Sequence, residues 1–185
     1  TKVGKDDKAP TDAVAVYDNK QAAKIVRDFT QEINNDYEVK QVMDQNNSGQ
    51  RVLANLNNPS ARGLVIRQMI RSAGDVRPSD RDVEGMSGAQ DTLNKFDSAL
   101  SILTSGNFSD KDLGKKMKDV GFPVMIKAVN EINRKVLERK INLKLEQRMI
   151  DLEEYPELQS KLKAKGESFK KQFGVIPSEY AKESE

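Results

Sequence analysis

Residues 123–152, PVMIKAVNEINRKVLERKINLKLEQRMIDL, contain no glycine, and no proline after the first position. Their apolar residues recur at three- and four-residue intervals, which is the period of a helix face. Two stripes result: Val129, Ile132, Val136, Leu143 and Ile150 form one, and Leu137, Ile141, Leu145 and Met149 form the other. A helix of ~30 residues is about 45 Å long. We therefore predict a long helix that is contacted from two sides, which we call the spine helix.

The spine helix is also the predicted assembly surface. Only 36% of the chain is hydrophobic and 5% aromatic, against roughly 45–50% apolar residues in typical globular domains. Such a composition favours an elongated helical protein, or one that completes its core against a partner, either a second copy or another protein. The candidate interaction residues are Val129, Ile132, Val136, Leu137, Ile141, Leu143 and Leu145.

Capping residues and helix breakers divide the rest of the chain into shorter helices. The first predicted helix covers about 19–44, after an N-cap at Asp18, and a short helix follows at 52–56. The next begins at Ser60 and ends at Gly74, and another begins at 79–80 and ends at Gly106. One more runs from Ser109 to near Gly121, and the last begins at Pro156 and ends at Gly174. The polar run 46–49 is predicted to break the first of them. The predicted fold class is all-α, an irregular bundle of about six to seven helices with flexible termini.

The predicted organisation is a flexible N-terminal arm (1–17), a helical domain (18–174) and a polar tail (175–185). The sequence begins at Thr1, which leaves open a removed initiator methionine, a cleaved leader or a fragment. No apolar run approaches the roughly 20 residues that a membrane-spanning helix needs, so no such segment is predicted.

The chain has no histidine and no cysteine. Disulfides, thiol nucleophiles and cysteine metal sites are excluded, and the commonest general base and zinc ligand is missing. No glycine-rich loop has the spacing that holds phosphates. We therefore predict a non-enzymatic protein without a cofactor.

A basic segment, residues 111–148, holds 11 Lys and Arg against 5 Asp and Glu in a chain of net charge +2. Its candidate phosphate contacts are Lys115, Lys116, Lys118, Arg134, Lys135, Arg139 and Lys140. Phe122 is its only aromatic residue, so base stacking is not expected, and backbone contacts would weaken with salt. A solvated helix face is the more common meaning of such a segment. The alternative to an assembly protein is a helical adaptor that binds DNA or an acidic partner here.

One group of acids has the spacing of positions 1, 3, 5 and 12 of an EF-hand calcium loop: Asp80, Asp82, Glu84 and Asp91. Three features disagree, because Ser87 replaces an apolar anchor, position 12 is not glutamate, and Pro78 precedes the loop. Acids in the first turn of a capped helix explain the pattern better, so no metal is predicted.

The stretch ARGLVIRQMIRSAGDVRPSDRDVEGM (61–86) resembles a segment of internal virion and DNA-ejection proteins of tailed bacteriophages. In these a helix ending in Ser-x-Gly is followed by a turn of the form Pro/Leu-Ser-Asp-x-Asp-Val, and residues 93–109 are similar to the helix and break that come next. The resemblance covers about a quarter of the chain. It implies a structural protein of the virion, present in the host cytoplasm during assembly, that contacts itself, the portal or DNA. The adaptor alternative implies a cytoplasmic protein.

Overall fold

The computed structural model describes residues 11–56, 64–153 and 155–172. These ranges contain no β-strand and seven α-helices: α1 (Thr11–Asn35), α2 (Tyr37–Leu56), α3 (Leu64–Gly74), α4 (Ala89–Ser105), α5 (Asp110–Asp119), α6 (Phe122–Ile150) and α7 (Pro156–Gln172). The predicted all-α class and number of helices are confirmed. In the same ranges, no helix combines the length and apolar character that crossing a membrane requires. The predicted cap Ser60, residues 1–10 and residues 173–185, which include the polar tail, lie outside the described residues.

The spine helix is α6, and it lies at the centre of the bundle. Gly121 precedes it with a φ of 66°, a left-handed conformation that glycine adopts without strain. Pro123 follows in the first turn, where its missing N–H costs nothing. α1, α2, α4, α5 and α7 all contact α6, and its contact with α2 is the most extensive. The predicted two-sided contact is therefore a contact with five helices.

The first helical segment breaks at Asp36 and not at 46–49. α1 begins at Thr11, before the predicted start at 19, and ends at Asn35. The Asp36 carboxylate then accepts a hydrogen bond of 2.8 Å from the backbone N–H of Val39, as an N-cap does. The predicted break at 46–49 is wrong, because Asn46 and Gly49 are buried inside α2. The polar composition of 46–49 alone suggests a loop, but in the fold Asn46 and Gly49 face a neighbouring helix.

α2 runs antiparallel along α6, and the end of α1 lies beside the same helix; we call α1 and α2 together, residues 11–56, the α1–α2 unit. Glu32 meets Arg148, Asp36 meets Lys144 and Glu38 meets Lys140. Further along, Gly49 lies against Asn130. Residue numbers thus rise from Glu32 to Gly49 while those of their partners on α6 fall from Arg148 to Asn130.

Residues 75–88 form successive turns between α3 and α4. α3 ends at Gly74, as predicted, but α4 begins at Ala89 and not at 79–80. Gly85 and Gly88 have φ values of 76° and 74°, which a continuous helix does not allow. α4 ends as predicted before Gly106, which caps it.

α5 and α7 begin where capping chemistry predicts. The Ser109 hydroxyl accepts a hydrogen bond from the backbone N–H of Asp112 at the start of α5, and Pro156 opens α7. The core joins α7 to α1 through an edge-to-face contact between Phe169 and Phe29, with ring centroids 6.2 Å apart.

Candidate interaction surfaces

The predicted assembly residues of α6 belong to the chain's own core. Val129, Ile132, Val136, Leu137, Ile141 and Leu145 are each at most 8% exposed. Of the seven candidates only Leu143, at 51% exposed, reaches solvent. The prediction that these residues form an outward assembly surface is therefore wrong for six of them in this fold. Their apolar side chains are covered by neighbouring helices of the same chain.

The basic segment is partly neutralised from within. Three of its cations follow each other at four-residue intervals on α6 and face acids of the α1–α2 unit and of the 75–88 turns. We call the whole set the ion-pair ladder: Lys140, Lys144, Arg148, Glu32, Asp36, Glu38 and Asp82.

The Lys140 ammonium is shared between two carboxylates. Its Nζ lies 2.9 Å from Glu38 Oε2 and 2.9 Å from Asp82 Oδ1. Burial opposes the charge on Lys140, but the hydrogen bonds and charges of these two acids outweigh it and raise the pKa of the ammonium above its ordinary value. The charge of Lys140 is thus already paired within the chain, and its contact with phosphate stays a prediction.

Lys144 holds the junction between α1 and α2. Its Nζ lies 2.6 Å from Asp36 Oδ2 and 3.5 Å from Glu32 Oε1, and Arg148 also reaches Glu32 at 3.0 Å. Burial opposes ionisation of Asp36, but the hydrogen bond and charge of Lys144 and the N–H of Val39 outweigh it, so the pKa of Asp36 is lowered. One carboxylate thus caps α2 and ties the junction to α6.

The other predicted phosphate contacts separate into two groups. Arg134 pairs with Glu131 at 3.1 Å, and Arg139 donates a hydrogen bond of 2.8 Å to the backbone oxygen of Glu84. Four lysines make no ion pair with any residue that the structure describes: Lys115, Lys116, Lys118 and Lys135. Three of these lie on α5 and one on α6.

The four acids with calcium-loop spacing do not converge. Asp80 accepts hydrogen bonds from Arg77 and Gln90, and Asp82 is occupied by Lys140. Asp91 pairs with Lys95 on α4. Glu84 contributes only a backbone oxygen, to Arg139. Among the described residues no three acidic side chains group as metal ligands do; the spacing fails because 79–88 form separate turns.

Arg77 is a structural residue that sequence reasoning did not single out. Its guanidinium binds both carboxylate oxygens of Asp97 at 2.9 and 3.0 Å and Asp80 at 2.8 Å. The hydrogen bond to Asp80 raises the pKa of Arg77. Burial opposes this shift, and the hydrogen bond and charge of Asp97 add to it. This contact fixes the 75–88 turns onto α4.

Four side-chain amides form a polar layer in the core between α2, α6 and the start of the 75–88 turns. We call Gln45, Asn46, Asn130 and Asn133 the amide layer. Asn133 donates to the backbone oxygen of Val76, and Gln45 donates to that of Arg77 at 3.1 Å. The side-chain oxygens of Gln45, Asn130 and Asn133 are buried, and no described residue donates to them.

A shallow apolar groove of about 370 Å³ lies between α4 and the corner where α5 meets α6. Its apolar walls are Ala99, Ile102, Val120 and Met125, and Lys95 is its one charged wall residue. Ile102 is 44% exposed. We call this apolar groove the α4–α6 groove.

A second, larger cleft of about 530 Å³ surrounds Leu143. Its rim alternates in charge, with Arg81 and Arg139 beside Glu38 and Glu84. Because the two signs balance, this cleft has no net preference for an anionic or a cationic partner.

Comparisons with protein-family models, with curated proteins and with solved structures found no match for this chain. The resemblance of residues 61–86 to phage proteins stays a prediction.

Proposed function

We propose that the chain is a non-enzymatic structural or assembly protein that acts through helix-mediated protein contacts, and that the α4–α6 groove is its contact surface. The observation that supports this is the groove itself, in which Ile102 is exposed beside half-buried Val120 and Met125, since apolar surface gathered in a groove is a common mark of a protein-contact site. The predicted setting, a bacteriophage virion or DNA-ejection apparatus, is part of this proposal.

The partner that fits the groove is an amphipathic helix with an acidic flank. Residues 115–127, which lead into and out of the corner, hold four lysines and one carboxylate, Asp119. Lys118 and Lys127 are exposed and make no ion pair within the described chain. An apolar stripe would fill the groove, as in other helix-in-groove complexes, and acids beside it would meet these lysines.

The test uses labelled helical peptides and fluorescence anisotropy. One peptide carries leucines at i, i+3, i+4 and i+7 with glutamates elsewhere, a second replaces glutamate by lysine, and a third scrambles the stripe. We expect only the first to bind, and Ile102→Glu to weaken binding about tenfold or more, as loss of a central anchor does. Ile150→Glu is the matched control, because Ile150 is an exposed apolar residue outside the groove. Equal binding of all three peptides, or no effect of Ile102→Glu, contradicts the proposal.

A second candidate function, non-specific DNA binding by an adaptor, is favoured by the unpaired lysines of α5. If Lys115, Lys116 and Lys118 each neutralise a phosphate, the logarithm of affinity falls with the logarithm of salt with a slope near −0.9 per contact, or about −3. Substituting all three by glutamine removes this dependence. No affinity for duplex DNA at low salt eliminates this candidate.

A further inference from the structure

The C-terminal half of α6 has one side that no described helix covers. Lys144 faces the α1–α2 unit, and Leu145 lies against Gly166 of α7. The remaining side carries Leu143 and Ile150, which are 51% and 74% exposed. These two residues are seven positions apart, so they lie on the same face of the helix.

The exposed pair continues an apolar stripe that begins in the core. Apolar residues recur along this side of α6 at seven-residue intervals: Val129, Val136, Leu143 and Ile150. Val129 and Val136 are at most 1% exposed, whereas the last two residues reach solvent. The ion pair of Asp82 with Lys140 ties the 75–88 turns to α6 one turn before Leu143. The stripe therefore extends past the cover that the described chain supplies, and a seven-residue apolar repeat is the pattern by which helices pair.

A charge of opposite sign lies at each end of the exposed pair. Arg139 precedes Leu143 by one helical turn, and Glu153 follows Ile150 by one turn, since its N–H donates to the Ile150 oxygen at 3.4 Å. Arg139 donates to the backbone oxygen of Glu84, but neither Arg139 nor Glu153 makes an ion pair with a described residue. In chain order the face is thus basic, apolar, apolar and acidic. We call it the outer α6 face: Arg139, Leu143, Ile150 and Glu153.

This order is complementary to its own reverse. If a second α6 lies antiparallel to the first, Leu143 of each copy faces Ile150 of the other, and Arg139 of each faces Glu153 of the other. A two-fold axis forms each of these contacts twice. A parallel second helix would instead place Arg139 against Arg139 and Glu153 against Glu153. The unpaired charges of the outer α6 face therefore fit an antiparallel copy of the same face.

The cleft of about 530 Å³ around Leu143 is the space into which the other copy would insert. Val136 and Leu143 provide its apolar walls, and Ile150 is a protruding apolar side chain of the kind that such walls accept. Glu146 and Gln147 lie midway between the two apolar contacts, at the two-fold axis, where each Gln147 amide can donate to Glu146 of the other copy. The cleft and the protruding isoleucine are thus two halves of one contact.

We propose that two copies of the chain pair antiparallel through the outer α6 face, with Ile150 of each in the Leu143 cleft of the other. Residues 139–153 span roughly 20 Å, so the contact is smaller than the 1,200–2,000 Å² that stable interfaces commonly bury, about the size of transient ones. We therefore expect a weak dimer that forms at high chain concentration. The outer α6 face lies apart from the α4–α6 groove, so the inference adds a contact between identical chains to the proposed function.

The first experiment measures the monomer–dimer equilibrium of the full chain by sedimentation equilibrium over increasing concentration. We expect Leu143→Glu and Ile150→Glu each to weaken dimerisation about tenfold or more, as loss of a central anchor does. Both side chains are exposed in the monomer, so the melting temperature followed by circular dichroism should stay unchanged. Ile102→Glu is the matched control, because Ile102 is an exposed apolar residue of the α4–α6 groove.

The second experiment tests the antiparallel arrangement through its charges. Arg139→Glu places a carboxylate opposite Glu153, and Glu153→Arg places a guanidinium opposite Arg139, so each change should weaken dimerisation about threefold or more. The chain with both changes should recover the affinity of the unaltered chain, which also shows that neither change prevents folding. A mixture of the two single variants should likewise recover it, because both charge pairs of the heterodimer are attractive.

Three results overturn the inference: a chain that is monomeric at every concentration, a dimer that Leu143→Glu and Ile150→Glu leave unchanged, or single charge variants that dimerise as the unaltered chain does. A dimer that is lost with Ile102→Glu belongs to the α4–α6 groove and also counts against the outer α6 face. Failure of the groove peptides to bind contradicts the proposed contact surface but leaves these measurements unaffected, so the two failures are distinguishable.

Discussion

Gly49→Ala tests the contact between α2 and α6 most directly. A Cβ at this position meets Asn130 Oδ1 at 2.5 Å and its Cγ at 3.2 Å. The asparagine lies on α6 and is 7% exposed, so it has little room to withdraw. Two effects of opposite sign therefore compete at this position.

The sizes of these two effects decide whether Gly49→Ala stabilises or destabilises the chain. Replacing glycine by alanine inside a helix stabilises it by about 1 kcal/mol, whereas forcing extra atoms into a packed core costs about 1–3 kcal/mol. We expect Gly49→Ala to lower the free energy of unfolding by about 1 kcal/mol. For a chain of this size, the melting temperature then falls by about 2–4 °C.

A double-mutant cycle with Asn130→Ala isolates the contact. Once the amide is removed, the space for the new methyl group exists, so Gly49→Ala is expected to stabilise the Asn130→Ala background by about 1 kcal/mol. The coupling between the two sites is then about 2 kcal/mol. Urea unfolding followed by circular dichroism measures all four chains.

Gly114→Ala is the matched control, because a Cβ there lies 3.7 Å from Ile66 Cδ1, an ordinary contact. It should stabilise α5 by up to about 1 kcal/mol. Gly166→Ala should fall between the two, since its Cβ would meet Leu145 Cδ2, the end of a flexible side chain, at 3.1 Å. A Gly49→Ala chain that is as stable as the Gly114→Ala chain, or a coupling near zero, refutes the described packing of α2 on α6.

Further predictions concern the caps of α2 and α5. Because the pKa of Asp36 is lowered on folding from its ordinary value of 3.8, its stabilisation is present above that value and is lost as the pH falls through the folded-state pKa. The Asp36→Asn variant keeps a cap but not the charge. The free energy of unfolding should therefore fall more steeply below about pH 5 in the unaltered chain than in this variant. Parallel pH profiles of the two chains would show that Lys144 does not hold this carboxylate. Ser109→Ala should cost about 1 kcal/mol through loss of the hydrogen bond to the Asp112 N–H, and Ser109→Gly only a few tenths; equal losses in urea unfolding would contradict a capping role.

Helix ends were predictable where one residue determines them chemically. Gly74, Gly106, Ser109 and Pro156 lie at the boundaries that the sequence indicates, because helix capping and the missing N–H of proline are local properties. The break at Asp36 was not predictable in this way. A one-residue interruption hardly disturbs an apolar period, and its cap points to Val39 inside an otherwise continuous pattern.

The surfaces were less predictable than the helices. Periodicity shows that α6 has apolar faces, but not whether its own chain or another covers them. Likewise the acids that neutralise Lys140 and Lys144 lie far away in sequence, at Glu38, Asp82 and Asp36. The four-residue spacing of the cations was a signal that they form one row. Only the fold shows which acids pair with this row of cations.

The docking of α1 and α2 on α6 also has a consequence for synthesis on the ribosome. The two helices emerge before α6, and the helix that covers them is complete only at Ile150. At ~5–20 residues per second, the ribosome needs roughly 5–20 s to add residues 57–150. Throughout that interval Phe29 and Val39 have no native cover, and the nascent chain must rely on its neighbouring charged and amide side chains, or on a chaperone, to avoid aggregation.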